Sequence, residues 1–398
     1  MASTFSPTVF ENFACETTNS TDNANSTVPA CNLTMDPLNM TMMLPEPSYY
    51  PAYYRIVGTT FQGLIFLIGV LGNIMVVIVV TKTRSMLTPT NCYLVSLSLA
   101  DLMVLMASVP NEVLSYYLLG DEWIWGRAGC VIFIFLQYLG INASSLSITA
   151  FTVERYIAIC HPMKAQMVCT VNRAKKIIIG VWVFACLYCS PWLFLTKTVP
   201  IYYKGHENKE TCTFALSREH YLGYFFADLV LFYIFPLLLS CALYGLIAKI
   251  LFTSEIPRNV TKGGNPPRDS GKSSNTSARV QVVKMLAVVV AVFATLWLPY
   301  RALVVYNSFA KHRYMEPWFL MFCKTMIFIN SAINPILYNA MSVKFRRAFK
   351  RTLSCRQKQH CRRGPYCSDV ETTRYLPSTL NTATTRAASC RIEKLQQI

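Results

Sequence analysis

The sequence predicts an all-α membrane protein: a seven-transmembrane helix bundle with a short amphipathic juxtamembrane helix. Three observations carry that prediction. Seven apolar runs are each long enough to cross a bilayer. The 398 residues are 53% hydrophobic and only 14% charged, where a soluble domain is nearer about one quarter charged. Basic residues gather in alternate connections between the runs.

Crossing roughly 30 Å of hydrocarbon takes about 20 apolar residues in a helix. Ile56–Val80 meets that length without a charge. The other runs lie near Cys92–Leu119, Cys130–Cys160, Ile177–Leu195, Tyr221–Ile250, Val282–Phe309 and Trp318–Met341. An odd number of spans puts the termini on opposite sides. The segment up to Arg55 holds one basic residue against Glu11, Glu16, Asp22, Asp36 and Glu46. Lys82 and Arg84 follow span one, Lys164, Arg173, Lys175 and Lys176 follow span three, and Arg258 to Arg279 carry cations after span five. Basic connections stay on the cytoplasmic side, so the N-terminus is expected outside and the C-terminus in the cytoplasm of a multi-pass plasma-membrane protein.

Residues 1–54 are rich in Ser, Thr, Asn and Pro and read as an extracellular disordered segment. Four sequons there, at Asn19, Asn25, Asn32 and Asn39, are expected to be glycosylated. No apolar core marks a cleavable signal, so span one is expected to act as the signal anchor. Residues 55–341 form the bundle. Ser254–Ser277, with Gly263-Gly264 and Pro266-Pro267, reads as a flexible cytoplasmic loop. Residues 342–354 follow as a membrane-surface helix, with Val343, Phe345, Ala348, Phe349 and Leu353 set among five cations. Cys355, Cys361 and Cys367 then lie within reach of the acyl boundary and are palmitoylation candidates. Residues 355–398 read as a disordered tail whose Ser and Thr can be phosphorylated.

The fifteen cysteines are too dispersed for a disulfide scaffold. Cys130, at the outer end of span three, and Cys212, in the second outer loop, both face an oxidising compartment, which predicts a bridge between them. Cys15 and Cys31 are candidates for a second. The net charge of +17 sits mainly on the cytoplasmic face, where it marks topology and meets anionic lipid rather than nucleic acid. Zinc-ligand spacing, a nucleophile elbow and a phosphate-binding glycine loop are all missing, so the chain does not read as an enzyme. A transporter or channel is the weaker alternative, since no repeated halves or charge-rich path are visible.

Ionisable residues inside spans are costly and mark function. Asp101 lies in mid-span two, Glu154 and Arg155 end span three, Arg301 is in the outer half of span six and Lys324 in that of span seven. Gly72-Asn73, Leu97-Ser98-Leu99-Ala100-Asp101, Glu154-Arg155-Tyr156, Trp182, Pro236, Trp297-Leu298-Pro299 and Asn334-Pro335-Ile336-Leu337-Tyr338 occur in order, one per span. Over about residues 55–353 this set resembles the rhodopsin-like (class A) G-protein-coupled receptors. The resemblance implies a sodium ion among Asp101, Ser144, Asn330 and Asn334. It implies a switch in which Arg155 leaves Glu154 for Tyr244 and the G protein, with Tyr156, Trp297, Pro299, Pro335 and Tyr338 as moving parts. It implies heterotrimeric G protein, receptor kinases and arrestin as partners.

Helical spacing puts Tyr138 and Asn142 on one face of span three, and Phe293, Trp297, Tyr300 and Val304 in one stripe of span six. These residues predict a pocket of aromatic walls, hydrogen-bonding groups and two cations, with no central carboxylate. Gln137 stands where amine receptors carry Asp and Phe328 where opsins carry Lys. Asp228 is either a counter-ion for one of the cations or a wet, loop-facing residue. Asn91–Leu97, Leu136–Ser145, Ala174–Ile179, Lys284–Val290, Pro299–Arg301 and Asn330–Pro335 are similar to the thyrotropin-releasing hormone receptor family. That similarity implies a small blocked peptide, pyroglutamyl-histidyl-prolinamide, and coupling to Gq-class G proteins. Tyr138 and Asn142 would hold the pyroglutamyl ring, and Tyr300 and Arg301 the other end, with Asn307 and Lys324 nearby. Lys324 departs from the family's Arg and Phe214 from an expected Tyr. A class A receptor for another small neuropeptide is the alternative.

Overall fold

The computed structural model describes residues 44–216, 218–254 and 270–361. It divides into two compact units, Met1–Thr352 and Leu353–Ile398. Of the second, the described part is the end of a helix that begins at Val343 and runs to Cys361. The four sequons, Cys15, Cys31, Cys367 and the Ser/Thr-rich tail lie outside the described residues, as do the side chains of Cys355 and Cys361.

Among the described residues, seven helical segments have the length and hydropathy of membrane spans: Ala52–Lys82, Pro89–Ser115, Gly126–Cys160, Val171–Leu193, His220–Ile250, Ala287–Phe309 and Pro317–Ala340. They are spans one to seven below. Their starts are built by ordinary capping. Thr88 accepts from Asn91 N at 3.2 Å ahead of Pro89, and Glu316 accepts from Phe319 N at 2.6 Å ahead of Pro317. In each case the side chain satisfies an N–H that the helix leaves open, and proline occupies a position that needs none. Spans two, three and seven are the most buried. Leu71, Leu187 and Leu238 stand on the outside of the bundle, exposed as they would be to lipid.

The spans are locked where prolines free a carbonyl. Pro236 cannot donate to the Phe232 carbonyl, and Ser145 Oγ of span three donates to it instead at 2.6 Å, beside a π turn at Val230–Ile234. Pro335 cannot donate to the Ser331 carbonyl, and Asn73 Nδ2 of span one donates to it at 2.9 Å. Ser145→Ala should therefore strand a buried carbonyl and cost about 1–3 kcal/mol. A thermal midpoint equal to that of the parent chain would refute this. Spans two and three approach closely at Gly140, where a Cβ would sit 2.9 Å from the Ala100 carbonyl oxygen.

Two features depart from the expected architecture. The second outer loop is a hairpin, β1 Thr196–Tyr203 and β2 His206–Phe214, turning at Gly205 with φ +75°. β2, from His206 to Phe214, is polar at nearly every position, Thr211 among the buried ones, so it shows no apolar alternation and reads as loop. The predicted bridge is present: Cys130 and Cys212 are bonded, with Cα atoms 5.6 Å apart, tying β2 to the start of span three. The second departure is length. Helix begins at Ser270, inside the stretch read as loop to Ser277, and the surface helix passes residue 354 to reach Cys361. No proline follows Pro267 before span six, and Gly364-Pro365 is the next breaker after Leu353. Neither helix has to stop at the edge of its apolar run.

A polar core, a closed pocket and a second cavity

Asp101 is wholly buried at the middle of the bundle. Ser144 Oγ donates to it at 3.3 Å and Asn334 Nδ2 at 2.8 Å, and the Ser331 hydroxyl lies within bonding reach. Among the described residues no cation pairs with it. The structure thus joins Asp101, Ser144 and Asn334. Asn330 takes part only through its backbone, its carbonyl accepting from Asn334 at 3.3 Å. Sequence reasoning missed Ser331 in this role, although it lies three residues before Asn334 on the same helix.

At the end of the bundle away from the hairpin, Arg155 Nη2 meets Glu154 Oε1 at 3.3 Å. Tyr244 approaches Thr152, oxygen to oxygen at 3.5 Å, and among the described residues no hydrogen bond joins it to Arg155. Tyr156 packs edge-on against His161, and Tyr338 is buried against Phe345 of the surface helix. Trp297, Pro299 and Pro335 lie inside spans six and seven as expected.

Near the hairpin end, Tyr138, Tyr300 and Arg301 do converge, with Trp297, Val304, Phe225 and Gln137. Arg301 Nη1 donates to Asp228 Oδ2 at 2.8 Å, so a carboxylate does stand in this pocket and its partner is Arg301. The pair is incompletely satisfied: Asp228 Oδ1 and Arg301 Nε are buried without a partner. Sequence left Asp228 open because its partner is 73 residues away and only packing of span five on span six sets the distance. Tyr138 stacks on Trp192 at 4.5 Å, and Trp192 touches Phe214 at 5.2 Å, forming an aromatic wall that sequence reasoning did not pick out. The signal available was Tyr188 and Trp192 one turn apart at the end of span four. The enclosed space is about 10 Å³, roughly enough for one water.

Three residues expected in the pocket stand elsewhere. Asn142, one turn deeper than Tyr138, is fully buried, donates to Cys189 Sγ at 3.4 Å and leaves its Oδ1 unpaired. Asn307 braces the connection to span seven, accepting from Tyr314 N at 2.7 Å and donating to Tyr314 O at 3.1 Å. Lys324 turns into a different cavity, of about 90 Å³, between spans one, two, three and seven, where Nζ meets both Glu112 oxygens at 2.7 and 2.8 Å. The pull is electrostatic: a carboxylate within reach outcompetes an aromatic wall that already holds Arg301.

Comparison with known proteins agrees with this architecture. A family model for the 7 transmembrane receptor (rhodopsin family) matches residues 72–338. The thyrotropin-releasing hormone receptor of Homo sapiens is 48% identical over 343 residues, covering 82% of this chain and 85% of that one. That of Gallus gallus is 48% identical over 334 residues, covering 80% and 84%. The neuromedin-U receptor 1 of Rattus norvegicus is 32% identical over 307 residues, covering 73% and 71%. With the seven spans and the Asp101 and Arg155 clusters in place, the chain belongs to the rhodopsin family of seven-transmembrane receptors, among the thyrotropin-releasing hormone receptors: a multi-pass membrane receptor and not an enzyme.

Proposed function

We propose that the chain is the receptor for thyrotropin-releasing hormone and passes its signal to a Gq-class G protein, raising inositol phosphate and calcium. The observation that carries this reading is the pocket of Tyr138, Tyr300 and the Arg301–Asp228 pair. It offers phenol hydroxyls, one unused donor at Arg301 Nε and one unused acceptor at Asp228 Oδ1. A peptide blocked at both ends brings amide N–H and C=O groups and no terminal charge, which suits those open positions. The identity with hormone receptors supports the same ligand.

The pocket as it stands is too small for a tripeptide, so hormone has to favour a wider state and bind it more tightly. Widening moves Tyr300 and Arg301 on span six, and Pro299 beside them leaves that helix one hydrogen bond short and easy to bend. Arg155, held by Glu154 in the closed arrangement, is then released toward Tyr244 and the G protein. Asp101 and Ser144 supply oxygen ligands suited to sodium, with Asn330 and Asn334 beside them. When bound, such an ion supplies the positive charge that the buried carboxylate otherwise lacks. Asn142 and Lys324 reach the ligand only after moving, and Asn307 acts through the connection it braces.

The reading places the N-terminus outside, with sugar on its sequons, and the C-terminus inside. Tail Ser and Thr there serve receptor kinases and arrestin, and Cys355, Cys361 and Cys367 serve acylation. Calcium measured in cells expressing the chain, on addition of the hormone and of a peptide panel including neuromedin U, tests it. A rise with hormone is expected; silence despite surface expression overturns the reading. Tyr138→Phe removes one buried hydroxyl and should weaken hormone binding by on the order of 1–3 kcal/mol, or about 5- to 150-fold in the midpoint of the calcium response.

A further inference from the structure

We propose that Tyr233 of span five holds span six in its closed position, as a positioning residue for the response to hormone; the proposal rests on the receptor reading above. Pro299 lies inside span six. It has no N–H, so the Thr295 carbonyl four residues back lacks its helical donor and the helix can pivot there. Span five grips span six on both sides of that pivot. Beyond it, toward the hairpin, Asp228 holds Arg301 at 2.8 Å. Before it, toward the Arg155 end, the Tyr233 hydroxyl donates to the Ala294 carbonyl at 2.9 Å. The two grips lie about two turns, or roughly 10 Å, apart along the helix. With both made, neither half of span six can swing without breaking one.

The backbone of span five aims Tyr233 at this point. Phe235 N bonds the Val230 carbonyl, five residues back, which makes the π turn of Val230–Ile234. The extra residue in such a turn changes which side chains face a neighbouring helix. The Ser145 bond to the Phe232 carbonyl fixes the turn against span three. Around the hydroxyl, the Tyr233 ring lies 6.0 Å from Phe293, and the Arg301 guanidinium is 6.0 Å from the ring centre. Tyr233 is buried, so its hydroxyl is out of bulk solvent.

The cost of breaking this bond falls on one side. Ala294 lies within the helix Ser270–Phe309 and keeps a helical donor at Leu298, so losing Tyr233 strands no carbonyl. The hydroxyl has no such reserve. Once span six swings away, a buried O–H is left without its acceptor, and only the open state bears that cost. Phenylalanine keeps the ring, its contact with Phe293 and its face toward Arg301, and removes only the hydroxyl. Tyr233→Phe therefore shifts the resting equilibrium toward the open state. Hormone binds that state more tightly. While the open state is a minor one, one factor both raises basal signalling and tightens hormone binding.

The test compares the full chain with Tyr233→Phe. Inositol phosphate is measured without hormone, per receptor at the cell surface. Hormone affinity is measured on purified receptor in lipid nanodiscs without G protein. Tyr233→Phe is expected to raise the basal signal and to lower the hormone Kd, each by about 3- to 10-fold, the size of one neutral hydrogen bond. A residue that merely fills space would change surface expression and the thermal midpoint without tightening hormone binding. Unchanged or weaker binding, or an unchanged basal signal, overturns the proposal. A parent chain in which hormone raises no inositol phosphate overturns the receptor reading and not this one, and the decision then passes to hydrogen exchange in the nanodisc. Amides from Ala294 to Arg301 are expected to exchange faster in Tyr233→Phe than in the parent chain, and equal rates overturn the proposal.

Discussion

Asp228→Ala is expected to cost the receptor about 3–5 kcal/mol of stability, because it leaves Arg301 charged, buried and unpaired. Both partners are almost wholly out of solvent, with side chains 9% and 2% exposed, and the contact is 2.8 Å. The loss should appear as a lower thermal midpoint of the purified protein and as fewer receptors at the cell surface. Removing both charges tests the cause. In Asp228→Ala combined with Arg301→Met, no lone charge remains and apolar side chains fill the space, so most of the loss should be recovered. A double variant as unstable as the single would show that packing around Asp228, rather than the charge on Arg301, holds spans five and six together. The same pair sets the resting pocket. Arg301 also lies over Trp297 at 5.1 Å, so releasing it from Asp228 bears directly on the residue at the bend of span six.

Cys130→Ser is expected to lower stability by about 2–5 kcal/mol, a size typical for losing a native disulfide. The bridge spans 82 residues and joins β2 to the second turn of span three. Without it, the hairpin keeps its ladder but loses its covalent hold on the bundle. Phe214, at the end of β2, would then be less firmly held against Trp192, and Trp192 against Tyr138. Hormone response should fall along with stability. Cys212→Ser and the double variant should each show the same loss as Cys130→Ser, since all three remove one bond. Losses that add would mean that each thiol matters separately, and would refute the account.

How much of this was readable without coordinates differs from group to group. The seven spans were, because a helix in lipid must satisfy its own backbone and announces itself by length alone. Span ends were less so. The helices at Ser270 and Cys361 run beyond the apolar stretch, since nothing in water forces a helix to stop where hydrocarbon does. The hairpin was missed because two strands pair through backbone groups that leave only a faint mark on side-chain order. The Cys130–Cys212 bridge was found, because topology puts both thiols on one side and leaves few partners.

Within the site, local spacing succeeded where one helix decided the matter. Tyr300 and Arg301 share a short stretch of span six, and both face the pocket with Tyr138. It failed where a choice between partners on different helices was needed. Lys324 had Glu112 available 212 residues away and took it, and Asp228 took Arg301. Asn142 and Asn307 spend their amides on a cysteine and on a connecting backbone rather than on the pocket.

By itself the sequence determined the bundle, the family, and the polar residues that no lipid-facing position would tolerate. Those follow from hydrophobic length and from the cost of burying charge, which are properties of a residue and its near neighbours. The tertiary structure alone decided which charges pair, which of two cavities each polar group enters, and which carbonyls freed by proline are answered by Ser145 and Asn73. Those are properties of distance between helices, and electrostatic and hydrogen-bonding preference falls off within a few ångströms.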